Sequence, residues 1–223
     1  MRKSSEIGGA YSAERAAALS GVPKSTIHYW ARRDLIVPSV AQKPRIWSFT
    51  DLLALRTVYW LRQPKTALDL QVPPTSMPKV RRALKELRAL TLDLFEHERP
   101  IIRVSLSGDV VIAAGILPLQ KSDGQYLLEP GIVDLLAPFD GLQGTRGPDL
   151  SRPRPTLRIL PRKISGAPHV EDTRLPTQSL FALASRGYEI ETLAKIYPFV
   201  SIEALRDSIE LEKQLQQNLK LAA

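Results

Sequence analysis

The stretch YSAERAAALSGVPKSTIHYWARR, residues 11–33, followed by DLIVPSVAQKPRIWSFTDLLALRTVYWLR, residues 34–62, decides the fold. Ser12 is placed to cap a short helix over 13–20 whose small apolar face is Ala16, Ala17 and Leu19, and Gly21 is placed to end it. Val22 and Pro23 make a turn. A second helix is predicted over 23–33, with Pro23 in the first turn, where its missing N–H costs nothing. Two short helices joined by a tight turn containing glycine form a helix-turn-helix. The polar segment 39–47, with two cations and Pro44, reads as a wing, and Thr50 is placed to cap a third helix carrying Leu52, Leu53, Leu55, Val58, Tyr59 and Leu61. The outline is a winged helix-turn-helix over 1–63.

In this motif the second helix presents polar side chains to base edges while neighbouring cations hold phosphates. The DNA-binding candidates are therefore Lys24, Ser25, Thr26, His28, Tyr29, Arg32 and Arg33 on that helix, with Lys43 and Arg45, and also Gln42, on the wing. Trp30, Trp47 and Trp60 all fall in this unit and are assigned to its core.

Beyond it, Pro64 and residues 73–78 break the chain. A helix is predicted from about 76–78 to 98, with Val80, Leu84, Leu87, Leu90 and Leu94 as one stripe. Arg81, Arg82, Lys85 and Arg88 lie on its other side, either as a solvated face or as phosphate contacts. Alternation over 102–113 around Ser107-Gly108-Asp109 predicts a β-hairpin, and 116–128 a second. Residues 76–138 thus form a helix plus a small sheet. Gly144, Gly147, Pro148, Pro153 and Pro155 mark 139–155 as a mobile linker. The last unit, 156–223, starts on a strand-like 157–160 and carries three helices. These run over 177–186, over 189–196, and from a cap at Ser201 towards Lys220. The expected fold class is mainly α with a small antiparallel sheet, α+β.

The chain has 223 residues, 43% apolar and 24% charged, with a net charge of +8 and a pI of about 9.8. The charge is uneven: residues 1–62 carry +6 and residues 166–223 carry −2. A basic front and a slightly acidic tail suit two different partners, the first of them anionic. The absence of cysteine excludes disulfides, thiolate metal sites and a cysteine nucleophile. His28, His97 and His169 lie far apart in sequence, and no Ser/His/Asp ordering or phosphate-cradling Gly-Lys-Ser/Thr loop is present. No enzyme activity, catalytic residue, cofactor or metal is expected. The N-terminus lacks the apolar core of a secretory signal and no apolar run is long enough to span a membrane, so a cytoplasmic protein is expected.

On the long last helix, Ile202, Leu205 and Ile209 form one apolar stripe, and Leu211, Leu215 and Leu219 lie on another face with Ser208. The second stripe reads either as packing within the chain or as a partner interface, seating a partner helix or a second copy. Glu203, Asp207, Glu210 and Glu212 on the same helix would repel phosphate, which argues against a second DNA-reading helix. Arg174 is expected to hold a loop through backbone carbonyls.

Two resemblances extend this reading. Tyr11-Ser12, the 16–22 run AAALSGV, Ser25-Thr26-Ile27-His28-Tyr29-Trp30, Leu35-Ile36-Val37-Pro38 and Arg45-Ile46-Trp47-Ser48-Phe49-Thr50-Asp51-Leu52 resemble the MerR-type winged helix-turn-helix over about 50 residues. His28 stands where that family usually has arginine. The continuation into a sheet, without cysteines, departs from the family's dimerising helix and metal sites. In the tail, Gly166-x-Pro168-x-Val170-x-Asp172-Thr173-Arg174-Leu175-Pro176, then Gly187, Ile190-Glu191, Tyr197-Pro198-x-Val200-Ser201 and Glu203 resemble a small helical domain of uncharacterised function. Its signature is Gly-x-Pro-x-Ile-x-Gly-Thr-Arg, with Asp172 at the second glycine. The combination is similar to VapB-type antitoxins. That resemblance implies a PIN-type ribonuclease toxin as the partner to be bound and neutralised. For the DNA end, a homodimer on a two-fold double-stranded DNA operator is expected, because two-fold proteins match two half-sites, with autorepression of its operon if the operator lies upstream. For the toxin, occlusion of its acidic site by an arginine from 146–162 is the expected mode. The alternative is a ligand-responsive MerR-like transcriptional regulator that senses a small molecule in the central sheet.

Overall fold

The computed structural model describes residues 8–63, 65–67, 70–72, 74–89, 101–105, 109–113, 132–140 and 144–221. Helix α1 (Ala13–Ser20) is capped by Ser12, whose Oγ accepts from the Arg15 N–H at 3.2 Å, and it ends at Gly21 in the left-handed conformation, φ +74°. Helix α2 (Lys24–Arg32) buries Ile27, Trp30 and Ala31 and leaves its other face to solvent. Strands β1 (Ala41–Gln42) and β2 (Arg45–Ile46) pair antiparallel as the wing.

Helix α3 (Phe49–Arg62) is capped by Ser48 rather than Thr50. Ser48 Oγ accepts from the Asp51 N–H at 3.1 Å while Asp51 Oδ2 accepts from the Ser48 N–H at 2.8 Å, a reciprocal capping box. The same carboxylate accepts from the backbone and hydroxyl of Ser39, fastening the chain before the wing to the helix after it. Trp47 is fully buried, Trp30 nearly so, and Trp60 packs against the core.

Between α3 and α4 (Met77–Arg88) lies a hairpin the sequence pattern does not signal, β3 (Lys65–Ala67) with β4 (Leu70–Val72). Helix α4 buries Val80, Leu84 and Leu87 as the stripe predicts, and its continuation to 98 falls outside the described residues. The predicted hairpin at 102–113 is present as β5 (Ile101–Ser105) and β6 (Val110–Ala113). Strand β7 (Ile132–Asp134) joins it to give the antiparallel order β6-β5-β7. The predicted second hairpin at 116–128 also lies outside the described residues. Thereafter come β8 (Phe139–Asp140) paired with β9 (Arg146–Gly147), then β10 (Leu157–Arg158) paired with β11 (His169–Val170). Helices α5 (Thr177–Ala184), α6 (Ile190–Ile196) and α7 (Ile202–Leu221) complete the chain. The class is α+β, mainly α, with small antiparallel sheets.

The segment 139–155 is not a mobile linker, because its described residues are packed. Phe139, Thr145, Gly147, Pro148, Leu150 and Ser151 are buried. The physical reason is Arg56, fully buried in α3. Its guanidinium donates to five carbonyls: Leu19 and Ser20 at the end of α1, Leu135, Ala137, and Pro148. It also lies 5.5 Å from the centroid of the Phe139 ring. The last carbonyls of α1 are thus satisfied from outside the helix. Ala18 accepts from Asn218 Nδ2 at 3.0 Å, and the Gly21 carbonyl accepts from Thr145 Oγ1 at 2.9 Å.

The tail docks on the front of the chain. Arg15 of α1 and Glu212 of α7 make a two-pronged ion pair at 2.6 and 2.7 Å, and Thr177 Oγ1 donates to the same carboxylate. Tyr11 exchanges both backbone hydrogen bonds with Trp47, and its hydroxyl donates to the Gly166 carbonyl at 2.8 Å. Gly166 has φ +75°, and a Cβ there would sit 2.1 Å from the Tyr11 hydroxyl, so only glycine fits. One continuous apolar core runs from Tyr11 to Leu215. Asp172, in place of the signature glycine, keeps the left-handed conformation at φ +58°, which aspartate tolerates better than most residues. Arg174 does not hold this loop. It is exposed and makes no hydrogen bond to a described residue, and Thr173 does the work, donating to the Val170 carbonyl and accepting from the Leu175 N–H. No helix among the described residues is long and apolar enough to cross a membrane.

Candidate nucleic-acid interface

The outer face of α2 follows from its buried one. With Ile27, Trp30 and Ala31 inward, Ser25, Tyr29, Arg32 and Arg33 are exposed, and Thr26 and His28 lie at the margin. Tyr29 is 50% exposed, with the Arg33 guanidinium 5.6 Å above its ring. Lys24, at the N-terminal end, is paired at 2.5 Å with Glu14 of α1. That hydrogen bond, above all, holds the Glu14 carboxyl down to about 2.

On the wing, Gln42 and Lys43 are exposed at the tip and Arg45 reaches back to α2. Arg45 Nη1 lies 3.0 Å from His28 Nδ1. Arginine can only donate, so Nδ1 accepts and the His28 proton sits on Nε2. Burial first, and the Arg45 cation second, hold the His28 pKa below its ordinary value. His28 therefore orients the wing arginine against the recognition helix. All nine predicted residues lie on α2 or the adjoining wing, and the His28–Arg45 bond joins the two elements.

A cationic surface of this kind binds duplex DNA largely by releasing counterions. With about six phosphates contacted, the logarithm of affinity is expected to fall against the logarithm of salt with a slope near −5. Arg32→Ala or Arg33→Ala is each expected to weaken binding to every sequence alike and to reduce that slope by about one unit. Fluorescence anisotropy on specific and scrambled duplexes checks both; a flat salt response contradicts DNA binding.

His169 is fully buried, donates from Nδ1 to the Ala167 carbonyl at 2.9 Å, and has no partner for Nε2 among the described residues. Burial lowers its pKa, as it does that of His28. An imidazole whose folded pKa lies below its unfolded value near 6.5 gives stability that is complete above that value and lost as pH falls through the folded one. The Glu14 contribution disappears only below about 4.5. The thermal midpoint is therefore expected to fall between pH 7.5 and 5.0, measured by circular dichroism; a midpoint that rises over this interval contradicts both assignments.

The predicted partner interface is not a surface. Leu211 and Leu215 are buried and Leu219 is partly buried, because this face of α7 lies against α1 and the tail's own elements. An apolar stripe shows that something covers it, and here the cover is the chain itself. Glu212 is likewise buried in its ion pair, and Asp207 accepts from the Thr156 backbone and hydroxyl, so of the four acids Glu203 and Glu210 are the exposed ones. Among the described residues of the tail, the large apolar side chains left exposed are Leu221 at the end of α7 and, over 188–202, Tyr188, Ile196, Phe199 and Ile202, with Phe199 66% exposed and edge-on to Tyr197 at 6.1 Å. Their signal in the sequence is weak, since Ile202 falls in one apolar stripe with Leu205, which is buried, and Ile209, which is partly so. At 1.5 Å per residue, Ile202 stands about 24 Å along the helix axis from Asn218, which touches α1. Of the arginines over 146–162, Arg152 and Arg158 are engaged by Glu171, and Arg154 by Gln214 and the Pro153 carbonyl. Arg146 is 67% exposed, with Nε 3.5 Å from Asp140.

Comparison with protein families matches residues 11–69 to the MerR HTH family regulatory proteins and residues 158–210 to a protein family of unknown function, DUF433. The chain carries a MerR-family helix-turn-helix domain at its N-terminal end and a DUF433 domain towards its C-terminal end, and the first is a domain type of DNA-binding transcription regulators. No curated protein and no solved structure matches the chain. Glu212 and Asn218, which tie α7 to the helix-turn-helix, lie just past the second match.

Proposed function

We propose that this protein is an antitoxin that acts by binding rather than by catalysis. As a homodimer it holds a two-fold operator through α2 and the β1–β2 wing, and represses its own operon. Its tail binds and neutralises a PIN-type ribonuclease toxin. The observation that carries the second half is the exposure of Tyr188, Ile196, Phe199 and Ile202, four large apolar side chains left to solvent within 15 residues of the tail. Exposed aromatic residues grouped with aliphatic ones are the usual anchors of protein interfaces. Their place on the tail leaves the exposed face of α2 open, so one molecule can hold DNA and a protein together.

The test is sequential. The chain is titrated onto duplex DNA from upstream of its own operon, and the nuclease encoded beside it is then added. A complex of all three, with RNA cleavage suppressed at stoichiometric chain, is expected. Cleavage unaffected by a molar excess of chain overturns the toxin half; operator affinity no better than that for scrambled duplex overturns the repressor half.

A further inference from the structure

Between the C-terminal end of α2 and α4 lies a groove of about 710 Å³ that shares Tyr29 and Arg33 with the exposed face of α2 and has no residue of the tail in its lining. Its floor is apolar, formed by Trp30, Leu35, Met77 and Leu84. Around it stand Arg33, Arg62, Arg81, Lys85 and Arg88, against one carboxylate, Asp34, among the described lining residues. Arg82, on the same helix, is turned away into an ion pair with Asp109 and does not line the groove. The cations of α4 are therefore divided, and three of the five gather on one concave surface.

We propose that this groove binds a small aromatic anion of about the size of a mononucleotide, with its ring system on the apolar floor and its phosphate or carboxylate against Arg81, Lys85 and Arg88. The volume is that of a small-molecule site. The excess of cations selects an anion, and the guanidinium forks suit phosphate and carboxylate oxygens. The floor separates this ligand from the DNA backbone, which needs positive charge alone and offers a groove no apolar body to bury. Tyr29 and Arg33 belong both to this groove and to the exposed face of α2. Filling the groove therefore changes affinity for DNA, and the site is that of an effector.

The probe is anilinonaphthalene sulfonate, an aromatic anion whose fluorescence rises in apolar surroundings, titrated into the full chain. Saturable binding is expected to weaken at least about tenfold in the Arg81→Ala/Lys85→Ala double variant, a loss of about 1.4 kcal/mol. The salt slope of DNA binding is expected to stay unchanged in that variant. Both side chains are exposed, so the variant retains the fold. Probe attracted to the exposed Phe199 instead does not respond to these substitutions. Probe affinity unchanged by the double variant overturns the proposal. If the salt slope drops by about two units at the same time, the two cations hold DNA phosphates, and the DNA-binding reading stands without the effector site.

Discussion

Replacing Arg56 by leucine is expected to cost at least about 4 kcal/mol of stability, enough to leave a marginal domain unfolded. The side chain is fully buried and charged, and among the described residues its hydrogen bonds go to carbonyls and not to a carboxylate. Burial lowers its pKa to about 9, which still leaves it protonated at neutral pH, and Asp149 and Asp134 oppose the shift from a distance. Its desolvation is offset by five carbonyl dipoles, two of them at the negative end of α1. Leucine fills much of the space but leaves four buried acceptors and one part-buried one short of a donor, each buried one costing about 1 kcal/mol or more. Arg56→Lys recovers only part, because an ammonium has three donors and no planar fork. Chemical denaturation checks this; a loss below about 1 kcal/mol contradicts the role assigned to Arg56.

The second large effect is at the junction of helix-turn-helix and tail. Glu212→Ala is expected to cost about 3–5 kcal/mol, since it strands the mostly buried Arg15 guanidinium without its partner. Thr177 keeps the Pro168 carbonyl as an acceptor and suffers less. Arg15→Met combined with Glu212→Leu is expected to restore most of the loss, because a well-packed apolar pair replaces a buried ion pair at little cost. The double-mutant cycle then gives a coupling of several kcal/mol. Additive losses would show that the two residues act separately and that the tail is not held on α1 through this pair.

These two residues also show where sequence reasoning stops. Ser12, Gly21, the buried tryptophans and the 102–113 hairpin were legible because local spacing and capping chemistry determine them. Seven of the nine DNA-binding candidates could be placed as the polar complement of α2, a helix with a known buried face, and Lys43 and Arg45 as the cations of the wing. Arg56 was missed, although one arginine inside LLALRTVYWL, an otherwise apolar helix, is the mark of a buried cation. Glycines and prolines over 139–155 report the absence of regular structure and say nothing of packing, so a clamped segment read as a linker. Leu211 and Leu215 read as an interface because periodicity cannot identify what covers a stripe. The exposed side chains over 188–202 escaped because they fall in a turn, a helix end and a helix start, which share no period.

The most direct test of the two-ended account is capture of the tagged chain from its native host at low salt, beside a Phe199→Asp/Ile202→Asp variant, with bound proteins identified by mass spectrometry. The wild-type chain is expected to retain, near equimolar, a small ribonuclease encoded next to it, and the variant to lose that nuclease while keeping its affinity for DNA. No stoichiometric nuclease on the wild-type chain, with DNA binding intact, would contradict the antitoxin reading.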